Sequence, residues 1–310
     1  MVEVSGVAHL RTRIYIDGYN LYYGCLKGSP YKWLDLLALF EKHILPSVLV
    51  ERNGLRCQMT LLPLAIKFFT AKILEKAAKA PDSVSSQARY HTALRKQHDS
   101  RIEIIEGYYS LTESRVKIID AASPKRWPKD CHDALAWKLE EKQSDVNLAL
   151  QAYHDAITRE VDQVVIVTND TDIAPALKLI RLHTAVTIGL VIPAKPSIRV
   201  PNTELAEQAH WVRSHILPSE LANSQLPRVF PGKSPTIKPE SWYARPDLLE
   251  KILQLAMPVV GSRGGVFKWM EAPNPYLENH APIDLIDTEE EAAKVIAYIE
   301  NYLAGNGISK

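Results

Sequence analysis

The chain has 310 residues, enough for two domains with sizeable cores, and its 46% hydrophobic and 24% charged content is ordinary for a soluble globular protein. A formal net charge of +1 says nothing about partners by itself, and three cysteines (Cys25, Cys57, Cys131) without CxxC spacing argue against a disulfide framework or a zinc site. No window reaches the ~18 apolar residues of a membrane span, and the first residues lack the apolar core of a signal peptide, so a cytoplasmic protein with no membrane contact is expected.

In chain order, Arg13 to Asp17 reads as a short apolar strand ending in an acid, followed by Gly18 and Asn20. Tyr19, Tyr22, Tyr23 and the Gly-Ser-Pro at 28–30 read as a loop whose rings either stack on bases or pack into the core. Trp33 to Ile44 has the pattern of an amphipathic helix ended by Pro46. Leu61 to Ala71 reads as a second strand, with Pro63 blurring its start. A helix begins at Pro81-Asp82-Ser83 and runs to about Asp99. It carries His91 and His98 on one face, as partly exposed residues rather than a metal pair.

Ile102 to Tyr109 and Arg115 to Ile119 read as strands, with a hairpin at the sheet edge as one arrangement. Ser123 to Lys129 is a basic loop containing Trp127. It is either simply solvated or a phosphate-backbone contact through Lys125, Arg126 and Lys129, with Lys138 and Lys142 extending the charge. Cys131-His132-Asp133 lacks the supporting pattern of a nucleophile and base.

Ser144 and Asp145 look like the start of a helix whose apolar stripe is Val146, Ala149, Leu150, Tyr153 and Ile157. Val164 to Val167 is a β-branched run that reads as a buried strand. A polar turn from Thr168 to Asp172 follows, then helical spacing from Ile173 to Ile180. Asp170 and Asp172 thus fall just past the C-terminal end of a strand, where open α/β sheets place their ligand sites. One of them as a helix cap and the other as a solvated turn residue is the plainer reading. Clustered carboxylates are costly to desolvate unless a cation lies between them, and hard divalent ions take such oxygen ligands. Ala185 to Ile192 is the next strand, and Leu205 to Val212 leads into a last short one. Lys195 and Arg199 lie in the loop between them.

Three stretches carry a resemblance: IDGYN at 16–20, SDVNLAL at 144–150 and VIVTNDTDIAPALKLI at 165–180. In order and spacing they resemble the motifs of the NYN domain, a member of the PIN-like nucleases, over roughly residues 12 to 215. The resemblance implies a PIN-like, mostly parallel α/β sheet with flanking helices. It implies metal-dependent hydrolysis of RNA with Mg²⁺ or Mn²⁺. Asp17, Asp145, Asp170 and Asp172 fall on the family's metal and catalytic positions, with Asn20 beside them. Thr168, Asn169, Tyr19, Lys125, Arg126, Lys129 and Lys142 would then contact substrate. The chain departs from many relatives in having Gln151 where they carry a further acid, which leaves four carboxylates. A binding module that holds RNA or protein without cutting is the competing expectation.

Five prolines between 218 and 239 mark a linker, expected to be semi-extended. Residues 240–310 carry eleven Asp/Glu against six Lys/Arg, so the positive surplus lies in the first 239 residues. The sequence therefore divides into an α/β domain over 1–217, a linker over 218–239 and a small all-α domain over 240–310. The last reads as helices at Pro246 to Val260, Gly265 to Met270 and Glu289 to Leu303, with Gly-Ser-Arg-Gly-Gly at 261–265 as a turn. Trp269, Pro273-Asn274, Leu277, Pro282 and Leu285-Ile286 are similar to the C-terminal toxin-binding domain of Xre/MbcA/ParS antitoxins. That likeness implies self-association or a protein partner, and an antitoxin-like or defence adaptor acting through this tail is a third reading.

Overall fold

The computed structural model describes residues 8–52 and 54–305. The described residues form two compact units, one within 8–27 and 34–236 and the other of 28–33 and 237–305. The first is α/β, as expected. Its strands are β1 (Ala8–Asp17), β2 (Val50–Arg52), β3 (Leu55–Ala71), β4 (Ile102–Lys117), β5 (Asp133–Lys142), β6 (Gln163–Val167), β7 (Thr187–Val191) and β8 (Trp211–Arg213). They stand in the order β5-β4-β3-β1-β6-β7-β8, with β2 paired to β3. All neighbouring pairs are parallel except β4–β5 and β2–β3.

The central strands are apolar on both sides because helices cover both faces, and Ile14, Tyr15, Ile16 and Val164 to Val167 are fully buried. From β1 the chain builds outward through β3 and β4, and then returns to build β6, β7 and β8 on the other side. The direction reverses between β1 and β6, and a crevice at such a reversal is where α/β sheets bind ligands.

The helices are α1 (Gly18–Leu21), α2 (Leu36–Leu39), α3 (Ser83–His98), α4 (Ser144–Ile157), α5 (Ala174–His183), α6 (Thr203–Ala206) and α7 (Pro218–Ala222). Several differ from expectation. The tyrosine stretch is helical, α1 running into a π-turn over Tyr22–Leu26. Strand β3 starts six residues earlier than predicted, because Pro63 sits where its register with β1 shifts and no ladder bond is needed. Of the two histidines expected to be partly exposed, His98 is so and His91 is not. His91 is buried, and His98 Nε2 lies 2.6 Å from Asp35 Oδ1. The 218–239 stretch opens with α7, held by Glu220, which accepts from the Leu217 N–H at 2.8 Å and from Arg213 at 2.6 Å.

The largest difference concerns α4. Its core face is Leu148, Ala152, Asp155 and Ala156, while Val146, Leu150 and Ile157 of the predicted stripe are exposed. The helix is turned because Asp155 is drawn inward, with one carboxylate oxygen accepting from Arg13 at 2.6 Å, the Tyr15 hydroxyl at 2.6 Å and Lys67 at 2.9 Å. A buried carboxylate is tolerable only with such partners.

The second unit is helical: α8 (Pro246–Val260), α9 (Arg263–Met270) and α10 (Glu289–Gly305). Leu249, Ile252, Leu253, Phe267, Met270, Val295 and Ile299 form its core. Gly261 ends α8 at a φ of 80°. Arg263 bridges Glu240 and Glu250 beside the start of α9.

Candidate functional site

The ends of β1 and β6 meet at the reversal point. Asp17, the last residue of β1, is 3% exposed and caps α1 by accepting from the Asn20 N–H at 2.9 Å. Its other oxygen accepts from Asn20 Nδ2 at 2.7 Å and from the Thr168 hydroxyl at 2.8 Å. Thr168 is fully buried and its hydroxyl also accepts from the Asp170 N–H at 3.1 Å. Asp170 in turn accepts from the Asp172 N–H at 3.1 Å, capping the 3₁₀ turn that leads into α5. Asp145 enters from the first turn of α4, across the same edge.

Asp145 is placed by two backbone features. Gln143 adopts φ 76°, which turns the chain sharply out of β5. Gly107 of β4 lets that chain pass: a Cβ there would lie 2.3 Å from the Lys142 carbonyl oxygen and 2.7 Å from Ser144 Oγ.

The cluster holds one acid that the sequence reading missed. Glu141 lies within electrostatic reach of Asp17 and Asp145, and its Oε2 accepts from the Tyr109 hydroxyl at a long 3.5 Å. Its Oε1 is shielded from solvent and makes no hydrogen bond of normal geometry, although Ser144 is near enough to favour the charged form somewhat. The available signal was alternation in β5, which puts Glu141 and Trp137 on one face and Lys138, Glu140 and Lys142 on the other. With Glu141, five carboxylates share the edge despite Gln151.

Their mutual repulsion is visible in the proton affinities. Burial, then the charges of Asp17, Asp170, Glu141 and Asp172, push Asp145 up to about 7. Burial also raises Asp17, against its hydrogen bonds from Asn20 and Thr168. A carboxyl balanced near neutrality can hold or release a proton at working pH.

Three half-exposed tyrosines border the acids, and none is in the core. Tyr19 and Tyr23 lie 4.4 Å apart between ring centres, Tyr22 stands edge-on to Tyr23, and Lys27 lies 4.6 Å over the Tyr23 ring. The loop carrying Lys195 and Arg199 is pinned beside the turn by Asn169, whose amide donates to the Val200 carbonyl at 3.3 Å and accepts from the Asn202 N–H at 2.9 Å. Cys25 faces these cations, yet burial pushes its thiol up to about 12, so it is an inert packing residue.

The structure does not bring the other predicted contacts together. Asn169 is occupied by the loop, and Thr168 is interior. Lys142 pairs with Glu140 at 3.1 Å on the far face of β5. Lys125, Arg126 and Lys129 lie beyond the opposite end of the β4–β5 ribbon, whose β5 end at Asp133 is eight residues, or about 27 Å, along the strand from Glu141.

Residues 255–305 match the model of the antitoxin Xre/MbcA/ParS C-terminal toxin-binding domain. A Pseudomonas putida (strain DSM 28022 / S16) protein, 6-hydroxy-3-succinoylpyridine 3-monooxygenase HspA, is 62% identical over 297 residues, spanning 95% of each chain. This chain belongs to the HspA family. A solved structure of a Vibrio parahaemolyticus RIMD 2210633 protein of unknown function covers 69% of this chain and 96% of its own at 15% identity. Its TM-score is 0.35.

Membership of the HspA family corrects the activity expected from the three acidic motifs. The P. putida relative is a monooxygenase, so ribonuclease, nuclease and hydrolase are set aside, together with the Mg²⁺ or Mn²⁺ that hydrolysis required. Among the described residues no three His, Cys, Asp or Glu side chains are placed to hold a metal ion. No helix among them is long and apolar enough to cross a membrane.

Monooxygenation draws two electrons from a reductant, and flavins are one group that passes them to O₂. The edge does not fit a flavin or nicotinamide nucleotide. The groups at its helix starts are carboxylates, which repel phosphate, while the cations Lys195 and Arg199 lie on the loop after β7 and not at a helix start. Two cavities of about 170 Å³ each lie away from this edge. One lies at the opposite edge of the sheet, between Arg52 and Trp211, and the other lies in the helical unit beside Lys251.

Proposed function

We propose that the chain acts in monooxygenation of a hydroxypyridine bearing a carboxylated side chain, as the name of its P. putida relative describes. The observation that carries this is the 62% identity sustained over 95% of both chains. The acidic edge is the proposed substrate site. A 6-hydroxypyridine in its lactam form offers an N–H donor beside a carbonyl acceptor. A carboxylate and a protonated carboxyl offer the matching pair. Asp145, near neutrality, is the proposed proton holder, with Glu141 as its partner. Tyr19 and Tyr23 would lie against the ring, and Lys195 and Arg199 would attract the distal carboxylate.

The likeness of residues 12 to 215 to NYN domains is kept as a proposal about fold and descent alone. For the helical unit, the match over 255–305 supports a role in binding a protein partner or a second copy.

The test is conversion of 6-hydroxy-3-succinoylpyridine under ¹⁸O₂ by cells expressing the chain and by cells lacking it, with product followed by mass spectrometry. One labelled oxygen in the product, dependent on the chain, is expected. Equal conversion without the chain would remove the assignment.

A further inference from the structure

We infer that this chain excludes flavin and nicotinamide nucleotides from its sheet edge, and that the redox group of monooxygenation is carried by a separate protein. The need for such a group rests on the proposed function; the exclusion does not. Monooxygenation consumes one O₂, two electrons and two protons, leaving one oxygen on the substrate and one in water. Reduced flavins and nicotinamides are a chemical class that supplies those two electrons, and a protein must hold them for transfer.

In α/β sheets a nucleotide's phosphates sit on free N–H groups at helix starts, reached through a glycine-rich turn. Three helical segments begin at this edge, and each carries its own anion there. Asp17 occupies the Asn20 N–H at 2.9 Å, and Asp170 occupies the Asp172 N–H at 3.1 Å. Asp145 stands in the first turn of α4. The turn after β1 has a single glycine, and it leaves no cradle. A Cβ on Gly18 would lie 2.7 Å from the Phe69 carbonyl oxygen and 2.8 Å from the Phe68 ring, so the room is filled by protein. Asp172 and Glu141 add charge of the same sign around the same crevice. A phosphate would have to displace two carboxylates from backbone donors and then lie among all five.

The P. putida relative is nevertheless a monooxygenase, so its reductant is held away from this edge. A second protein fits a chain whose residues 255–305 match a domain described as binding another protein.

The experiment uses the purified full chain. Its visible spectrum is recorded, and FAD, FMN, NADH and NADPH are each titrated to about 1 mM at low salt, where a weak site would show most clearly. Turnover of 6-hydroxy-3-succinoylpyridine with NADH is then measured with and without extract from cells lacking this chain. The expected result is no flavin in the purified chain, no saturable binding, and turnover only when chain and extract are combined. A flavin copurifying at one per chain, or saturable binding below about 10 μM, overturns the inference whatever the turnover. So does turnover by the purified chain with NADH alone. No binding and no turnover in any mixture would leave the exclusion standing and remove the proposed function.

Discussion

The Thr168 hydroxyl donates to Asp17 Oδ2 at 2.8 Å, joining the ends of β6 and β1 at the floor of the acidic edge. Thr168 Oγ1 also accepts from the Asp170 N–H, so one buried hydroxyl fixes both the first-strand acid and the turn. Thr168→Val keeps the shape and deletes both bonds, and should cost about 1–3 kcal/mol in urea unfolding. Thr168→Ser should recover most of the loss. Equal midpoints for the valine variant and the parent would show that the joint is not structural.

Beneath the site, Asp155 is 2% exposed and bonded to Arg13, Tyr15 and Lys67. Removing the acid leaves two cations buried with only Glu160 nearby, at 3.0 Å from Arg13. Asp155→Ala should therefore cost about 3–5 kcal/mol by chemical denaturation. A loss below about 1 kcal/mol would mean that water reaches this network.

The raised Asp145 pKa makes a pH prediction with a definite sign. Unfolded, the carboxyl titrates near about 3.9; folded, it titrates at about 7. Between these values the native state binds more protons than the unfolded chain, so this residue's contribution to stability falls as pH rises, and the cost is complete above about 7. Solvent screening at a half-buried group holds it to about 1–2 kcal/mol. Asp145→Asn should be the more stable protein at pH 8, with the gap closing by pH 4. His91, held down to about 4 by burial, contributes with the opposite slope between about 4 and 6.5, and it does so in both proteins. Thermal midpoints of parent and variant across this range check the difference.

Gly107→Ala tests how Asp145 is placed. The new methyl would meet the Lys142 carbonyl oxygen at 2.3 Å, and backbone cannot swing aside as a side chain can. A loss of about 2 kcal/mol or more is expected, with the pH dependence assigned to Asp145 altered because the start of α4 must shift. An unchanged melting profile would show that the β5–α4 turn gives way easily.

Much of the sheet was legible because β-branched runs such as Val164 to Val167 must be buried on both sides, and Asp17 at the end of one strand and Asp170 just past another point to one edge. The orientation of α4 was not legible. An apolar stripe is read by counting apolar residues, and the inward face here includes Asp155, which counts as polar until Arg13 and Lys67 are seen beneath it. Strand β5 was missed for a related reason. Its alternation of Leu135, Trp137 and Leu139 with polar residues lies on an exposed ribbon, where no core marks one face. Glu141 was lost with it. The activity was misread where motif and chemistry part: the acids lie together at the edge, yet the family they belong to is named for oxidation.

The adjacency of β1 and β6 also governs how the protein can be made. Thr12 to Ile16 pair with Gln163 to Val167, so the two halves of the acidic edge lie about 150 positions apart along the chain. Closing so long a loop is slow relative to forming local helices. A ribosome must therefore release β6 before β1 gains its second neighbour. Until then the buried face of β1 depends on β3 alone, and a nascent chain stalled before Gln163 would present that bare strand to chaperones.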